Sequence, residues 1–246
     1  MSLRRTRIVG WTAAVVTIVA FVSLGQWQLS RMHQKQAMLD AVATTLTARD
    51  AVPLSVAGDA ARARDYDWSA GPGRFVDRPA FVLDNQIRAG VPGLRVYRLF
   101  APERGAPLLV DLGWTPLADR ATRLPDAAIV RGDGLLDRTL ELRGLLAPPP
   151  SAGLALGPAL VPGDAVLMTR IELDAIAAEA GLPALPPRVL RLDPALETGY
   201  DRDLDVLPNT LTPDKHLGYA VQWFGLALAV LVIALVLTFR KRRRCP

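Results

Sequence analysis

Two long charge-free stretches bracket this chain and constrain everything between them. Ile8 to Leu24 is 17 residues without a charge and Leu217 to Phe239 is 23. At about 1.5 Å per helical residue they reach about 25 and 35 Å, and a hydrocarbon core is about 30 Å thick. Both are read as membrane spans, the first only just long enough. Arg4, Arg5 and Arg7 precede the first, and Arg240, Lys241, Arg242, Arg243 and Arg244 follow the second. All 24 acidic residues lie between Met32 and Asp214, where only 19 Lys and Arg stand. The overall charge of +5 is therefore made at the two ends. The positive-inside bias puts both termini in the cytoplasm and exports the middle.

The first run also has the basic n-region and apolar h-region of a secretory signal, but no A-x-A cleavage site follows it. Trp27 and Arg31, in LGQWQLSR, suit the interfacial anchor of a helix that stays in the membrane. The expected organisation is a cytoplasmic N-terminus (1–7), a first transmembrane helix (8–28), a periplasmic β-rich domain (29–214), a second transmembrane helix (215–239) and a basic cytoplasmic tail (240–246).

A pI near 9.9 would ordinarily suggest nucleic acid as a partner. Here the cations are membrane flanks, so no nucleic-acid partner is expected, and the Arg240–Arg244 block is expected to meet anionic lipid headgroups. The one cysteine, Cys245, lies beyond the second span. The exported part thus has no disulfide and no thiolate metal or redox site, and its size must hold it together.

That part reads as an antiparallel sheet or small barrel with a few helices. Short apolar or alternating runs recur between Gly and Pro clusters: FVLDNQI (81–87), LRVYRLF (94–100), PLLVDLGW (107–114), LELRGLL (140–146) and RVLRLD (188–193). RMHQKQAMLDAVATTL (31–46) carries Met38, Val42 and Leu46 at helical spacing and continues the first span, and RIELDAIAAEAG (170–181) is a second helix stopped by Gly181 and Pro183. The Pro- and Gly-rich segment 147–164 reads as a surface connection. Asp84 and Asn85 read as a turn opening the Ile87–Gly93 loop. Asp201, Asp203 and Asp205 read as a solvated acidic face, because a calcium loop would need a central Gly and an acid where Thr212 stands.

Four stretches together resemble the Surfeit-locus-one family of cytochrome oxidase biogenesis factors. They are LGQWQLSRMHQK (Leu24, Gly25, Trp27, Gln28, Arg31, Lys35), FVLDNQIRAGVPGLRVYRLFAP (Leu83, Asp84, Asn85, Gly90, Pro92, Gly93), LLVDLGWTP (Val110, Gly113, Trp114, Pro116), and HLGYAVQWF (His216, Leu217, Tyr219, Ala220, Gln222, Trp223, Phe224). The chain departs from the family at Leu112, where Arg is usual before Gly-Trp, and at Asp214 and Lys215 before the histidine. The resemblance implies a non-enzymatic chaperone of the respiratory chain in a bacterial inner (plasma) membrane. It would assist haem A binding or insertion into the catalytic subunit of a haem-copper terminal oxidase, with haem A bound transiently. That subunit, a haem A synthase and membrane lipids are the implied partners.

The residues allow a compatible chemistry. A haem needs an axial donor, an apolar slot and cations near its propionates. His216 is the candidate metal ligand; Ala220, Trp223 and Ala227 share its helical face and Tyr219 lies beside it. The two alanines would leave a groove, Trp223 could stack on a ring, and Arg31 and Lys35 could meet propionates. Against this, Trp223, Tyr219 and Trp27 equally suit an aromatic belt, and Gln28 and Gln222 suit interhelical hydrogen bonds. His33, the only other histidine, reads as an exposed helix residue, and Trp114 as filling the domain core or covering it near the membrane.

Catalysis has little support. The chain has no H-E-x-x-H, G-x-S-x-G or phosphate-cradling glycine loop, and a Ser55–Lys35 pair has no context around it. The alternatives to haem delivery are a scaffold for oxidase subunits that binds no haem, or an accessory to a membrane sensor. The topology is the first thing to test. A reporter fused after Pro246 should be active only in the cytoplasm, and periplasmic activity would overturn the charge-based orientation.

Overall fold

The computed structural model describes residues 3–117, 134–136, 138–150, 157–206 and 211–240. The chain divides into two compact units, one from residues 1–40 and 207–246 and one from Ala41–Val206. The basic tail from Lys241 onward and part of the 147–164 connection lie outside the described residues.

The terminal unit is a helix pair. Helix α1 spans Leu3–Ala48; the last helix, α3, spans Pro213–Phe239 and starts with proline in its first turn, where a missing N–H costs nothing. Both helices are long and apolar enough to cross a membrane. Their better-covered positions step alternately by four and three residues: Phe21, Gly25, Gln28, Met32 and Lys35 on α1, and His216, Ala220, Trp223, Ala227 and Val230 on α3. This spacing produces a narrow seam of the left-handed, coiled-coil type. The other faces stay bare, with Val15, Val19, Val221, Leu228 and Leu237 all more than half exposed.

The central unit is built on nine strands: β1 (Val52–Pro53), β2 (Asp67–Phe75), β3 (Phe81–Arg88), β4 (Val91–Pro102), β5 (Leu108–Pro116), β6 (Leu140–Ala147), β7 (Leu160–Val161), β8 (Val166–Met168) and β9 (Val189–Leu192). The five runs read from the sequence all appear as strands. The order β2-β6-β9-β5-β4 closes on itself because the end of β2 pairs with the end of β4, Gly73 to Phe75 against Pro102 to Phe100. The result is a five-stranded ring with β3, β8 and β7 continuing outward from β4. Its inner face carries the even-numbered side chains Val96, Leu108, Val110, Leu112, Leu142 and Leu190, which form one buried cluster. A small barrel filled in this way is a core rather than a channel.

Strand β2 escapes sequence reading, since DWSAGPGRF looks like a turn. Its Gly73 is needed by the closure. A Cβ on Gly73 would fall 2.6 Å from the Phe100 ring and closer still to the Ala101 carbonyl, so only glycine lets β2 meet β4.

On β4, β5, β6 and β9 the odd-numbered residues face outward and are covered in two places. Helix α2 (Leu173–Glu179) lays Ile176 with Val166 and Met168 over Phe81, Tyr97, Leu99 and Leu109. It ends at Gly181, with φ of +70°, in a Schellman turn: the Gly181 and Leu182 amides donate to the carbonyls of Ala178 and Ala177. Elsewhere the end of α1 packs Val42 and Leu46 on Leu145 and Ala147 of β6, as their helical spacing anticipates.

Between these covers the outer face is ionic. Arg95 reaches Asp111 at 3.2 Å, and Asp111 also faces Arg191. Arg191 and Arg88 in turn hold the segment after β9, pairing with Asp203. The acidic run 201–205 is therefore a strap tied to the barrel, not simply a solvated face. Asp193 is 2% exposed. Burial opposes its charge, but the Ala195 amide and the Arg143 and Arg49 guanidiniums outweigh that and hold its carboxyl below the usual range.

Asp84 and Asn85 also differ from expectation. The local Asx bond is present, Asp84 Oδ1 accepting from the Asn85 amide at 2.7 Å, but it sits in a β-bulge inside β3. The chain reverses later, at Ala89 and Gly90, whose positive φ values of 48° and 79° make a two-residue hairpin turn between the paired Arg88 and Val91.

Gly73→Ala should lower stability by roughly 1–3 kcal/mol, the usual range for overpacking, read as a lower midpoint of thermal unfolding of the purified protein. An unchanged midpoint would mean that the β2–β4 closure tolerates a side chain.

Candidate functional site

Helix α3 begins outside the long apolar run and brings His216 into the seam within its first turn. The ring is 5% exposed. Its Nδ1 lies 2.7 Å from Oε1 of Gln28 on α1, itself 9% exposed. An amide oxygen only accepts, so Nδ1–H donates and a neutral ring keeps its lone pair on Nε2. Nε2 is buried and has no hydrogen-bond partner among the described residues. A buried acceptor without a partner is uncommon and calls for an explanation.

The surrounding seam is close-packed. Gly25 stands against the Phe224 ring, where an added Cβ would lie 2.6 Å from a ring carbon. Phe21 and Trp223 stack at a tilt with centroids 5.5 Å apart. Ala220 and Ala227 are 1% and 6% exposed, so the groove expected beside them is closed by the helix pairing. Further out, Lys35 donates to the Leu211 carbonyl, tying α1 to the start of α3.

The residues singled out from the sequence therefore separate. His216 and Trp223 lie on the seam. Tyr219 is 42% exposed, and Arg31 is exposed and bonds Gln34 at 3.0 Å. His33 and Gln222 are exposed, as is Trp27 at 55%. Gln28 makes the interhelical bond read as one possibility for it; an amide at seam spacing in an apolar run is the signal that points there. In the barrel, Trp114 is 9% exposed with its indole N–H donating to the Gln86 carbonyl at 2.9 Å, and Leu112 is fully buried in the inner core.

The sequence matches the profile of the SURF1 family over residues 15–228, nearly the whole chain. The chain belongs to the SURF1 family. This is a family of assembly factors associated with cytochrome oxidase assembly, not a known enzyme family. The match takes in most of both helices and all of the barrel, so the helix pair is as much a family feature as the sheet domain. No curated protein sequence matches the chain significantly. Membership makes an oxidase partner plausible, and the two apolar helices suggest membrane association.

The histidine tautomer offers a direct test. In ¹⁵N-histidine NMR of the His33→Asn protein, His216 should show a protonated Nδ1 and an unprotonated Nε2, and Gln28→Leu should shift the proton toward Nε2. An identical spectrum in the two proteins would show that Gln28 does not orient the ring.

Proposed function

We propose that this protein is an inner-membrane chaperone that assists haem A binding or insertion into the catalytic subunit of a haem-copper terminal oxidase, with His216 as the residue that meets the haem. Both termini are cytoplasmic in this reading and the barrel is periplasmic. The observation that carries the assignment is the unpartnered Nε2 of His216. Metal-ligating histidines commonly donate their other ring N–H to an oxygen acceptor, which fixes the tautomer and raises the basicity of the ligating nitrogen. Gln28 stands in that position.

The donor chemistry fits haem iron, which when bound would supply an open axial coordination position. The roles of this chain's own residues follow from their places. Gln28 orients the ring. Trp223 offers an aromatic face on the same seam. Arg31 and Tyr219, exposed nearby, are the groups able to reach polar substituents of a ligand without leaving their helices. The burial of Nε2 means that ligation requires the seam to loosen around His216, and haem is then held transiently rather than stored.

The same burial favours a second reading, in which Gln28 and His216 only lock the register of two helices that scaffold oxidase subunits. One polar pair in an apolar seam specifies alignment in coiled coils. Two substitutions separate the readings. His216→Asn keeps a side chain able to bond Gln28 but removes the imidazole, whereas His216→Ala removes both. Under haem delivery, both variants lower the haem A content of the membrane oxidase several-fold, and neither purified variant retains the Soret band expected of wild-type protein coexpressed with haem A synthesis. Full oxidase haem content with His216→Asn would reject the ligand role and leave the scaffold.

A further inference from the structure

On the far end of α1 from His216, Arg7, Ile8, Trp11, Thr12, Val15 and Val16 line an open groove of about 480 Å³. We propose that this groove binds one acyl chain of an anionic phospholipid, with the phosphate at Arg7. The inference rests on the reading that α1 crosses the membrane with its N-terminus in the cytoplasm.

Three features select this occupant. The groove runs from residue 7 to residue 16, about 13 Å at the helical rise, close to half of a hydrocarbon core about 30 Å thick, so it has the depth of one leaflet. Its wall is almost wholly apolar and its single charge stands at the terminal end. Among the described residues nothing pairs with the Arg7 guanidinium, and the nearest acid along the chain is Asp40. An open apolar groove ending in one cation that is unpaired among the described residues is complementary to an acyl chain attached to a phosphate.

The polar groups of the wall are already engaged. The Trp11 indole N–H donates to the Thr238 hydroxyl of α3 at 3.0 Å, which draws the ring toward the seam and holds it as a fixed side of the groove. The Thr12 hydroxyl donates to the Ile8 carbonyl at 3.0 Å. Neither has a donor left for a third helix. A partner transmembrane helix would also favour small residues that allow close backbone approach. Here the lining is β-branched and aromatic, while Gly10, Ala13 and Ala14 lie outside it.

The test uses the full chain in nanodiscs of defined composition, exchanged into mild detergent and examined by native mass spectrometry. Wild-type protein is expected to retain phosphatidylglycerol in preference to phosphatidylcholine. Val16→Trp, which fills the groove without changing charge, should lose retention several-fold, and Arg7→Gln should lose the preference for the anionic lipid. Val9→Trp, on an exposed position outside the groove, should behave as wild type. Equal retention of the two lipids by wild type, or no loss with Val16→Trp, would overturn the proposal. So would a photo-crosslinker at Val16 that labels a protein instead of lipid. Extraction from membranes by alkaline carbonate checks the underlying reading separately. A chain released by carbonate refutes the span itself, whereas an embedded chain without selective lipid refutes only the groove.

Discussion

The hydrogen bond between Gln28 and His216 is the interaction on which the terminal helix pair turns. In hydrocarbon, two apolar helices gain little by touching, because lipid is as apolar as leucine; they associate through close packing and the few polar bonds that have no better partner. The seam uses both. Gly25 admits the Phe224 ring, Ala220 and Ala227 are covered, and one amide meets one imidazole. Sliding either helix by one position would separate that pair and bury two polar groups without partners, at a cost of about 1–3 kcal/mol each. The bond thus sets register. It also leaves Nε2 as the one nitrogen of the ring free for something else.

Register and ligation need not compete. The geometry that orients the ring for a structural bond is the geometry that prepares Nε2 as a metal ligand, since a fixed Nδ1–H leaves its lone pair on the opposite side of the ring. Under the proposed function, the same bond that aligns the closed helices would present Nε2 once they part. The barrel has a different role. Its interior is filled by aliphatic side chains and the Phe75 and Phe100 rings, so it offers its outer surface and its rigidity rather than a cavity. The ionic ties from Arg88 and Arg191 to Asp203 make the strap at 201–205 part of that rigid body.

Much of this was legible in the residues. The two long apolar helices, the five strand runs, the helix carrying Val42 and Leu46 and the stop at Gly181 all follow from local patterning, because hydrophobic period and glycine chemistry act over a few residues. Strand β2 was not legible. Its Gly71, Pro72 and Gly73 have the composition of a turn, and the reason for Gly73 is a neighbour about 30 residues away in sequence, at Phe100 and Ala101. Asn85 misled in the same way: the side chain makes its local bond, but pairing with β4 keeps the chain in the strand. At the site, the shared face of His216, Ala220, Trp223 and Ala227 was correct as helical geometry, while the open groove beside it was not. A helical wheel says which residues share a face and nothing about what covers it.

What the sequence by itself determined are the quantities carried by composition and short-range spacing: two apolar rods long enough to span a bilayer, a cysteine-free β-rich segment between them, cations at both ends, and a histidine at the start of the second rod. These need no partner to be defined. The tertiary structure alone decided which residues meet. It closed the sheet into a ring through glycine at position 73, bound the acidic strap to Arg88 and Arg191, and set Gln28 opposite His216. Such pairings join positions as far as 227 residues apart, and they follow from burial, because a polar atom taken out of water must find its partner wherever the fold has placed one.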